Sequence, residues 1–260
     1  MAMELFDTHC HLDIPECFPD WVEQLARARA IGLRGMVLPG VTRRGWPGML
    51  AMARENPGLY AAPGLHPMYL TRHRDEDLAL LEEIAARPEV VAIGEIGLDY
   101  YHPEPDREAQ QRLFEAQLAI AARHHLPVLL HVRKAHDRVL ATLRRKHFRE
   151  GGIVHAYNGS LQQAKAFIEL GFFIAVGGAV TWDRSRKIRA VAASLPLDCL
   201  TLETDAPDIP IAGQSGQRNL PENILPICQA LAELRGETAE KIAGITSMNA
   251  RRILGVGDGT

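Results

Sequence analysis

The sequence has few cysteines, no long hydrophobic run and no excess of positive charge, and each absence excludes a class of protein. Its 260 residues include only four cysteines, and no two of them form a Cys-x-x-Cys pair, so a disulfide framework is not expected. The formal net charge of −3 provides no overall positive field for non-specific binding of nucleic acid. The most apolar stretch, residues 167–180, contains Glu169 and several glycines, and it is too short and interrupted to span a bilayer.

These absences favour a cytoplasmic protein with reduced thiols and no contact with a membrane. The first predicted strand begins close to Met1, which leaves no room for the charged and apolar regions of a secretory signal. Cys10 lies between two histidines and is expected to pack as a small apolar residue on the opposite face. Nothing in the sequence indicates an obligate protein partner.

Short β-rich segments alternate with amphipathic segments along the whole chain. Eight such units without a long linker predict an α/β fold, specifically a closed (β/α)8 TIM barrel. An open doubly wound sheet is the alternative, but no Gly-x-Gly-x-x-Gly turn follows the first strand. We therefore predict one domain over residues 1–260, with closing C-terminal helices at 221–235 and 238–253. The predicted strands are 4–7, 35–38, 60–64, 90–94, 127–131, 152–155, 172–176 and 199–203.

His9 and His11 end the first predicted strand and are separated by one residue. In a β-strand, residues i and i+2 point to the same face, so both imidazoles should enter one cavity. Four further candidate ligands stand at the ends of later predicted strands: Glu95, His131, His155 and Asp205. Because catalytic groups of such barrels lie at the carboxyl ends of the strands, this set predicts a metal site assembled from across the chain.

Four imidazoles and two carboxylates exceed the ligands of one tetrahedral ion and fit a pair of divalent ions better. Mixed nitrogen and oxygen donors suit zinc or manganese more than magnesium. Such a pair activates a water molecule for hydrolysis, with Asp205 as candidate general base, so Glu95 and Asp205 are the predicted catalytic residues. One ion is assigned to His9, His11 and Asp205. The other is assigned to His131 and His155, and Glu95 is predicted to bridge both ions.

Five neighbouring residues complete the predicted pocket. Asp7 and Glu203 share the inward faces of the first and last strands, and they should either orient imidazoles from behind the ligands or form a structural ion pair. Arg133 and Tyr157 each lie two residues beyond a predicted ligand and should face the pocket mouth, where the guanidinium suits a phosphate. His66 ends the third strand and is predicted to contact the substrate, unless it only fixes the turn at the following proline.

Characteristic motifs extend from residue 6 to about residue 254 and so cover nearly the whole chain. They are FDTHCHLD (6–13), GLHP (64–67), GEIGLDYY (94–101), LPVLLHVR (126–133), NGS (158–160), LETDAP (202–207), RNLP (218–221) and NARRIL (249–254). In combination they resemble the TatD family of metal-dependent deoxyribonucleases, within the amidohydrolase-like superfamily. The resemblance implies a TIM barrel with two divalent ions that hydrolyses phosphodiester bonds of DNA.

The ligands implied by the resemblance coincide with the six residues inferred from strand position. The resemblance also adds magnesium to zinc and manganese as a candidate metal. The chain departs from the family pattern in two places where substrate should pass. The segment AYNGS (156–160) stands where the family commonly has CFSGS, and Leu220 stands where an acidic residue is frequent.

Two other interpretations remain open at this point. The first is a binuclear hydrolase of a small phosphate ester, carboxylic ester, lactone or amide, because one barrel supports many reactions. Glu95 weighs against it, since some lactonase relatives bridge their metals with a modified lysine on strand four. The second is a non-catalytic scaffold, which the intact ligand set disfavours. The loop 99–107 carries Tyr100, Tyr101 and His102, which either stack on bases or only pack the loop against the barrel.

Overall fold

The computed structural model describes residues 3–101 and 106–257, which leaves the predicted loop residue His102 outside the described residues. Parallel strands alternate with helices along these two ranges. The strands are β1 (Leu5–Asp7), β2 (Leu33–Pro39), β3 (Leu59–Ala62), β4 (Ile93–Asp99), β5 (Val128–Arg133), β6 (Gly152–Val154), β7 (Phe172–Val176) and β8 (Leu200–Leu202). The helices are α1 (Trp21–Ala30), α2 (Trp46–Glu55), α3 (Asp75–Ile84), α4 (Arg107–Arg123), α5 (His136–Arg145), α6 (Leu161–Glu169), α7 (Arg186–Ser194), α8 (Ile224–Arg235) and α9 (Ala239–Leu254).

All strand pairs run parallel, as the alternation of strands and helices predicts. β1, β2 and β3 form one sheet in sequence order, and β4 to β8 form a second sheet, also in sequence order. Backbone hydrogen bonds join the two sheets at both seams. At one seam Val91 N donates to Ala61 O, and at the other Thr8 N donates to Leu202 O. The fold is therefore α/β with parallel sheets arranged in the order of the chain.

Two apolar clusters hold the strands in place. The larger cluster lies between strands and helices and includes Trp46, Phe114 and Phe167, all at most 1% exposed. The smaller cluster contains inward-facing strand residues such as Phe6 and Leu129. Ala250 and Leu254 of α9 belong to this smaller cluster, so the last helix covers one end of the strand interior. Burial of these side chains fixes which face of each strand points inward.

Helix starts follow ordinary capping chemistry where the loops meet the helices. Ser160 accepts from Gln163 N, and the Gln163 side chain returns to Ser160 N, which forms a capping box at α6. Asp106 accepts from the backbone N–H groups of Glu108 and Ala109 at the start of α4. Both caps lie directly after the loops of β6 and β4, so they fix where those loops end.

The predicted bounds of the fourth strand are wrong. Sequence reasoning ends this strand at Gly94, whereas β4 spans Ile93–Asp99 and pairs Gly97 with His131 and Asp99 with Arg133. The glycine resembled a strand end, but pairing with β5 carries the strand through it. Consequently Glu95 lies inside β4, and Asp99, four residues later, points to the same face of the strand.

The first strand spans Leu5–Asp7 and ends at the predicted residue, so His9 and His11 lie beyond the strand rather than at its end. The chain beyond it stays extended and is held alternately from both sides: Cys10 N donates to Val37 O of β2, while His11 N donates to Ala206 O after β8. This alternation keeps His9 and His11 on one side and buries Cys10 on the other. Within the described ranges, no helix has the length and apolar character needed to cross a membrane.

Candidate metal centre

The six predicted ligands converge at the carboxyl ends of the strands. His9 and His11 follow β1, Glu95 lies in β4 and His131 in β5, while His155 follows β6 directly and Asp205 lies three residues beyond β8. Five of the six side chains belong to buried residues; His131 is partly exposed. The site therefore lies in a pocket that excludes most water, and its contents come from five separate segments of the chain.

Glu95 lies between two groups of imidazoles, and each of its oxygens faces one group. Its Oε2 is 3.4 Å from His9 Nε2 and 3.8 Å from His11 Nε2. Its Oε1 is 2.7 Å from His131 Nδ1 and 3.2 Å from His66 Nε2. A carboxylate that presents its two oxygens to two nitrogen groups has the arrangement expected of a bridge between two cations.

Asp205 lies beside the imidazole group formed by His9 and His11. Its Oδ1 is 3.6 Å from His9 Nε2 and 3.9 Å from His11 Nε2, and these three residues present ligand atoms that all lie within 4.8 Å of one another. The backbone of Asp205 has a positive φ of 57°, in the left-handed region that aspartate tolerates better than most residues. Asp205 N donates to His9 O, which ties this turn to the segment after β1.

His155 lies at the boundary of the two groups. Its ring stacks on His9 with the centroids 3.6 Å apart. Its Nε2 is 3.6 Å from Glu95 Oε1 and 3.8 Å from Asp205 Oδ1. His66, Glu95 and His131 form another group of mutually close ligand atoms, and His155 forms a further one with His9 and Glu203.

Two further carboxylates hold imidazoles from behind. Asp99 Oδ2 is 2.9 Å from His131 Nε2, and Glu203 Oε2 is 3.1 Å from His155 Nδ1. Each contact occupies the ring nitrogen that points away from Glu95 and so leaves the other nitrogen directed into the site. A carboxylate in this position orients the ring and increases its basicity as a ligand.

Asp7 differs from its predicted role, because it contacts no imidazole among the described residues. Its Oδ1 accepts from His9 N at 3.1 Å and from Thr204 N at 3.0 Å, and its Oδ2 accepts from the Thr204 hydroxyl at 2.6 Å. With the residues that the structure describes, the carboxyl also forms no ion pair. Through these hydrogen bonds, Asp7 holds the segment that carries His9 against the segment that carries Asp205. Burial raises the pKa of Asp7 to about 7.

The imidazoles fall into two electrostatic classes. Burial lowers the pKa of His9, His11 and His66, which leaves these rings neutral with free lone pairs. Burial acts in the same direction on His131 and His155, but nearby carboxylates outweigh it. Hydrogen bonds with Asp99 and Glu95 raise the pKa of His131, and Glu203, Asp205 and Glu95 raise that of His155 to about 10.

The carboxylates show the complementary pattern. Burial alone raises the pKa of Glu95, but the surrounding imidazoles, led by His66 and His155, hold it well below its ordinary value. Burial raises the pKa of Asp205 well above its usual range. Within the described ranges, no lysine or arginine forms an ion pair with the carboxylates of the site, which are Glu95, Asp99, Glu203 and Asp205. Positive charge must therefore come from protons on imidazoles or from bound cations.

The residues present fit divalent metal ions. Nε2 of His9 faces Glu95 and Asp205, is buried and has no hydrogen-bond partner among the described residues. Buried polar atoms without partners are rare in folded proteins, and a lone pair directed at a cation removes the deficit. A donor set rich in imidazole with carboxylate between suits zinc or manganese. Cation binding competes with protonation of His131 and His155, whose pKa values the neighbouring carboxylates raise.

The predicted substrate residues have different surroundings. Arg133 stacks on Tyr101 at 3.6 Å from the ring centroid and lines the cavity that adjoins the metal centre. Tyr157 lines the same cavity but is only 5% exposed, and its hydroxyl donates to Ser160 O at 2.6 Å. This hydrogen bond already engages the hydroxyl, and the ring packs against His136 and Phe167 in the core.

Sequence reasoning missed Asp99 altogether and did not count His66 among the ligands. The signal for Asp99 was present in the alternation of Glu95, Gly97 and Asp99, which share one face once β4 is drawn to its full length. His66 lies in a loop after β3, where its Nδ1 accepts from Met68 N at 3.2 Å and its Nε2 points at Glu95. Nothing local in the sequence shows that this loop turns inward.

Comparison with known proteins places the chain among relatives of similar length. The "Uncharacterized metal-dependent hydrolase YjjV" of Escherichia coli K12 is 44% identical over 245 residues, which cover 94% of this chain and 95% of that protein. The "3'-5' ssDNA/RNA exonuclease TatD" of Erwinia tasmaniensis is 34% identical over 257 residues, which cover 96% and 99%. The crystal structure of the E. coli YjjV protein, described as a TatD homolog, superposes with a TM-score of 0.95 at 42% identity and covers 99% of this chain and all of that one.

The family model described as TatD related DNase matches residues 6–255, a range that contains every residue of the centre. The chain therefore belongs to the TatD related DNase family, as its motifs led us to expect.

Proposed function

We propose that the protein is a divalent-metal-dependent hydrolase that cleaves phosphodiester bonds at the ends of single-stranded DNA. The position of Glu95 between two imidazole groups carries the proposal, because it suits a pair of cations separated by one carboxylate. Family membership supports hydrolysis, and the relative named as a single-stranded DNA and RNA exonuclease supports the substrate. The chain is proposed to act as one domain over residues 1–260.

The proposed fold is a single closed (β/α)8 barrel. Hydrogen bonds at both seams, Val91 N to Ala61 O and Thr8 N to Leu202 O, support closure of the two sheets into one ring. A closed ring places the carboxyl ends of β1, β4, β5, β6 and β8 around one pocket. This explains how ligands up to about 200 residues apart in the chain come within contact distance.

The proposed ligands divide into two sets that share Glu95. His9, His11 and Asp205 hold one ion; His131 and His155 hold the other, together with His66, whose Nε2 lies 3.2 Å from Glu95. Asp99 and Glu203 orient His131 and His155. When bound, two divalent ions supply Lewis acidity, which lowers the pKa of a water molecule and polarises the phosphate.

The chain's own residues supply the remaining chemistry. Asp205 is placed to accept a proton from the attacking water at its carboxylate. Arg133 lies at the mouth of the cavity that contains His131 and Asp205, where its guanidinium can fork onto a phosphate. The buried walls exclude bulk water and strengthen each of these charge interactions.

A small ester is the second candidate substrate, and one observation favours it. A cavity of about 430 Å³ adjoins His155 and Asp205 and extends between β7 and α7. Its inner wall is apolar, with Ile174, Ile188 and Val191, and its volume lies in the range of ordinary small-molecule sites. A small carboxylic or phosphate ester with an apolar group fits this description.

Cleavage of a 5′-labelled single-stranded oligonucleotide by protein loaded with zinc, manganese or magnesium tests the proposal. We expect progressive shortening, and we expect Glu95→Gln and Asp205→Asn to lose at least about a hundredfold in kcat/KM. The matched control is Glu83→Gln, because Glu83 is an exposed glutamate remote from the site. Absence of cleavage with all three metals, when two ions per chain are confirmed bound, contradicts the proposal. Faster hydrolysis of small esters than of DNA favours the second candidate.

A further inference from the structure

A basic groove lies beside the metal centre, on the loops that follow β2 and β3. Arg44 lies in the short helix Arg43–Gly45 after β2, and Arg72 ends the short helix Pro67–Arg72 after β3. Both loops emerge at the carboxyl ends of their strands, which is the face that holds the metal centre. Arg44, Arg72 and Thr42 line two adjoining cavities of about 520 and 720 Å³.

The two arginines are free of carboxylate partners within the described ranges, although acidic residues are close. Asp77 is occupied, because it pairs with Arg43 at 3.0 Å and accepts from Arg74 N at 3.0 Å. Arg44 and Arg72 are exposed and form no ion pair with any described carboxylate. The groove thus presents two uncompensated guanidinium groups on a protein whose formal net charge is −3.

The aromatic ring of Tyr69 lies between Arg72 and His66 of the metal centre. The Tyr69 ring is 36% exposed and lies 5.6 Å from the ring of His66, centroid to centroid. The Arg72 guanidinium carbon lies 5.0 Å from the Tyr69 centroid. His66 in turn has its Nε2 3.2 Å from Glu95. A continuous path therefore leads from the Glu95 carboxylate through two aromatic rings to the Arg72 guanidinium.

The cavity of about 520 Å³ also has acidic lining residues. Asp13 and Glu16 line it together with Ile14 and Cys17. Glu16 is exposed, so its carboxylate repels phosphates and can accept hydrogen bonds from base amino groups. A strand bound in the groove would therefore place its phosphates toward Arg44 and Arg72 rather than toward Glu16.

We infer that this groove is a binding subsite for the part of a single-stranded polynucleotide that lies beyond the bond being cleaved. One base stacks against the Tyr69–Arg72 pair, and the adjoining phosphates contact Arg44 and Arg72. Stacking on aromatic and guanidinium planes combined with a basic groove is the general means of holding single strands without reading their sequence. The inference rests on the proposed function and names the substrate feature that distinguishes a polynucleotide from a small diester.

The test compares a long and a short substrate on the metal-loaded enzyme. For each variant, kcat/KM is measured on decathymidylate and on bis(4-nitrophenyl) phosphate, which has no nucleotide to reach the groove. We expect the ratio of the two values to fall about tenfold in Arg44→Gln/Arg72→Gln and by a similar factor in Tyr69→Leu. Fluorescence anisotropy of labelled decathymidylate should show the same loss of affinity. Removal of two phosphate contacts should also reduce the slope of log K against log salt by about 1.4.

Arg144→Gln/Arg149→Gln is the matched control. Both arginines are exposed, neither forms an ion pair with a described residue, and they lie at the end of α5 and in the loop before β6, at the opposite end of the strands. This control should leave the ratio and the salt slope unchanged. If the groove variants match the control on both substrates, the inference is overturned while the proposed function stands. If wild-type protein cleaves neither substrate, the proposed function fails, and the anisotropy comparison alone decides the inference.

Discussion

Asp99 holds His131 from behind: its Oδ2 lies 2.9 Å from Nε2 of the imidazole, whose Nδ1 lies 2.7 Å from Glu95. A neutral His131 that donates its Nε2–H to Asp99 must present a lone pair at Nδ1. This relationship fixes the tautomer, the orientation and the basicity of the ring together. It depends on β4 and β5 being paired through Asp99 and Arg133, so a strand register determines a ligand geometry.

Asp99→Asn should weaken metal binding without abolishing it. The amide keeps the size of the carboxyl but loses its charge, so His131 becomes a poorer ligand and affinity for the weaker-bound ion should fall about 10- to 100-fold. A chelator competition titration measures this affinity. Asp106→Asn is the control, since Asp106 caps α4 and can still accept as an asparagine. Equal affinities in both variants would show that Asp99 has no effect on the metal.

In the proposed two-ion centre, Glu95→Gln should reduce bound metal from two ions to one or none per chain. An amide offers one oxygen where the carboxylate presents two to separate imidazole groups. Elemental analysis of protein purified with zinc and manganese gives the stoichiometry. Glu83→Gln should retain the wild-type value. Two tightly bound ions in Glu95→Gln would exclude a bridging role for this residue.

Chelation should destabilise the protein, whereas Asp205→Asn should not destabilise the metal-free form. Burial raises the pKa of Asp205 well above its usual range, so the metal-free fold gains nothing from an ionised carboxylate there. A metal ion present at a free concentration about 1,000 times its Kd adds about 4 kcal/mol to the free energy of unfolding. For a chain of this size, that raises Tm by roughly 10 °C. Thermal unfolding with and without chelator measures both effects. Asp183→Asn, at a 99% exposed side chain, should behave as wild type in each condition. A metal-free Asp205→Asn that is several degrees less stable than metal-free wild type would contradict the prediction.

His136 should make stability depend on pH through a group outside the metal centre. Burial, reinforced by Lys187, lowers the pKa of His136 to about 4 from an ordinary value of 6.5, and its Nε2 is buried without a partner among the described residues. Between these values the unfolded chain binds a proton and the folded chain does not, so stability falls as the pH falls from about 6.5 to 4. The contribution is about 2 kcal/mol after allowance for partial solvent screening.

Urea unfolding of metal-free protein at pH 7.5 and pH 5 tests this prediction. His136→Leu should lose part of the stability difference between the two pH values, because leucine does not titrate. His125→Asn removes an 84% exposed histidine and should leave the difference intact. The same pH difference in wild type and His136→Leu would show that other groups account for it.

Much of the centre could be predicted because its residues follow the strand pattern closely. His9, His11, His131 and His155 each stand at or just beyond a strand that local hydrophobicity reveals, and parallel strands bring such ends together. Glu203 behind His155 also follows from the alternation of side chains along a strand. The bounds of β4 failed, because a glycine in a paired strand has the same local appearance as a glycine at its end.

The sequence by itself determined the alternation of strands and helices, the six candidate ligands and the family, since all of these depend on residue type and spacing within short segments. Only the tertiary structure decided what each side chain touches. It turned Asp7 to the backbone of Thr204, brought His66 to Glu95 and placed Tyr69 and Arg72 beside the centre. These contacts join residues from different loops and strands, and their geometry depends on strand register and loop direction, which no local periodicity encodes.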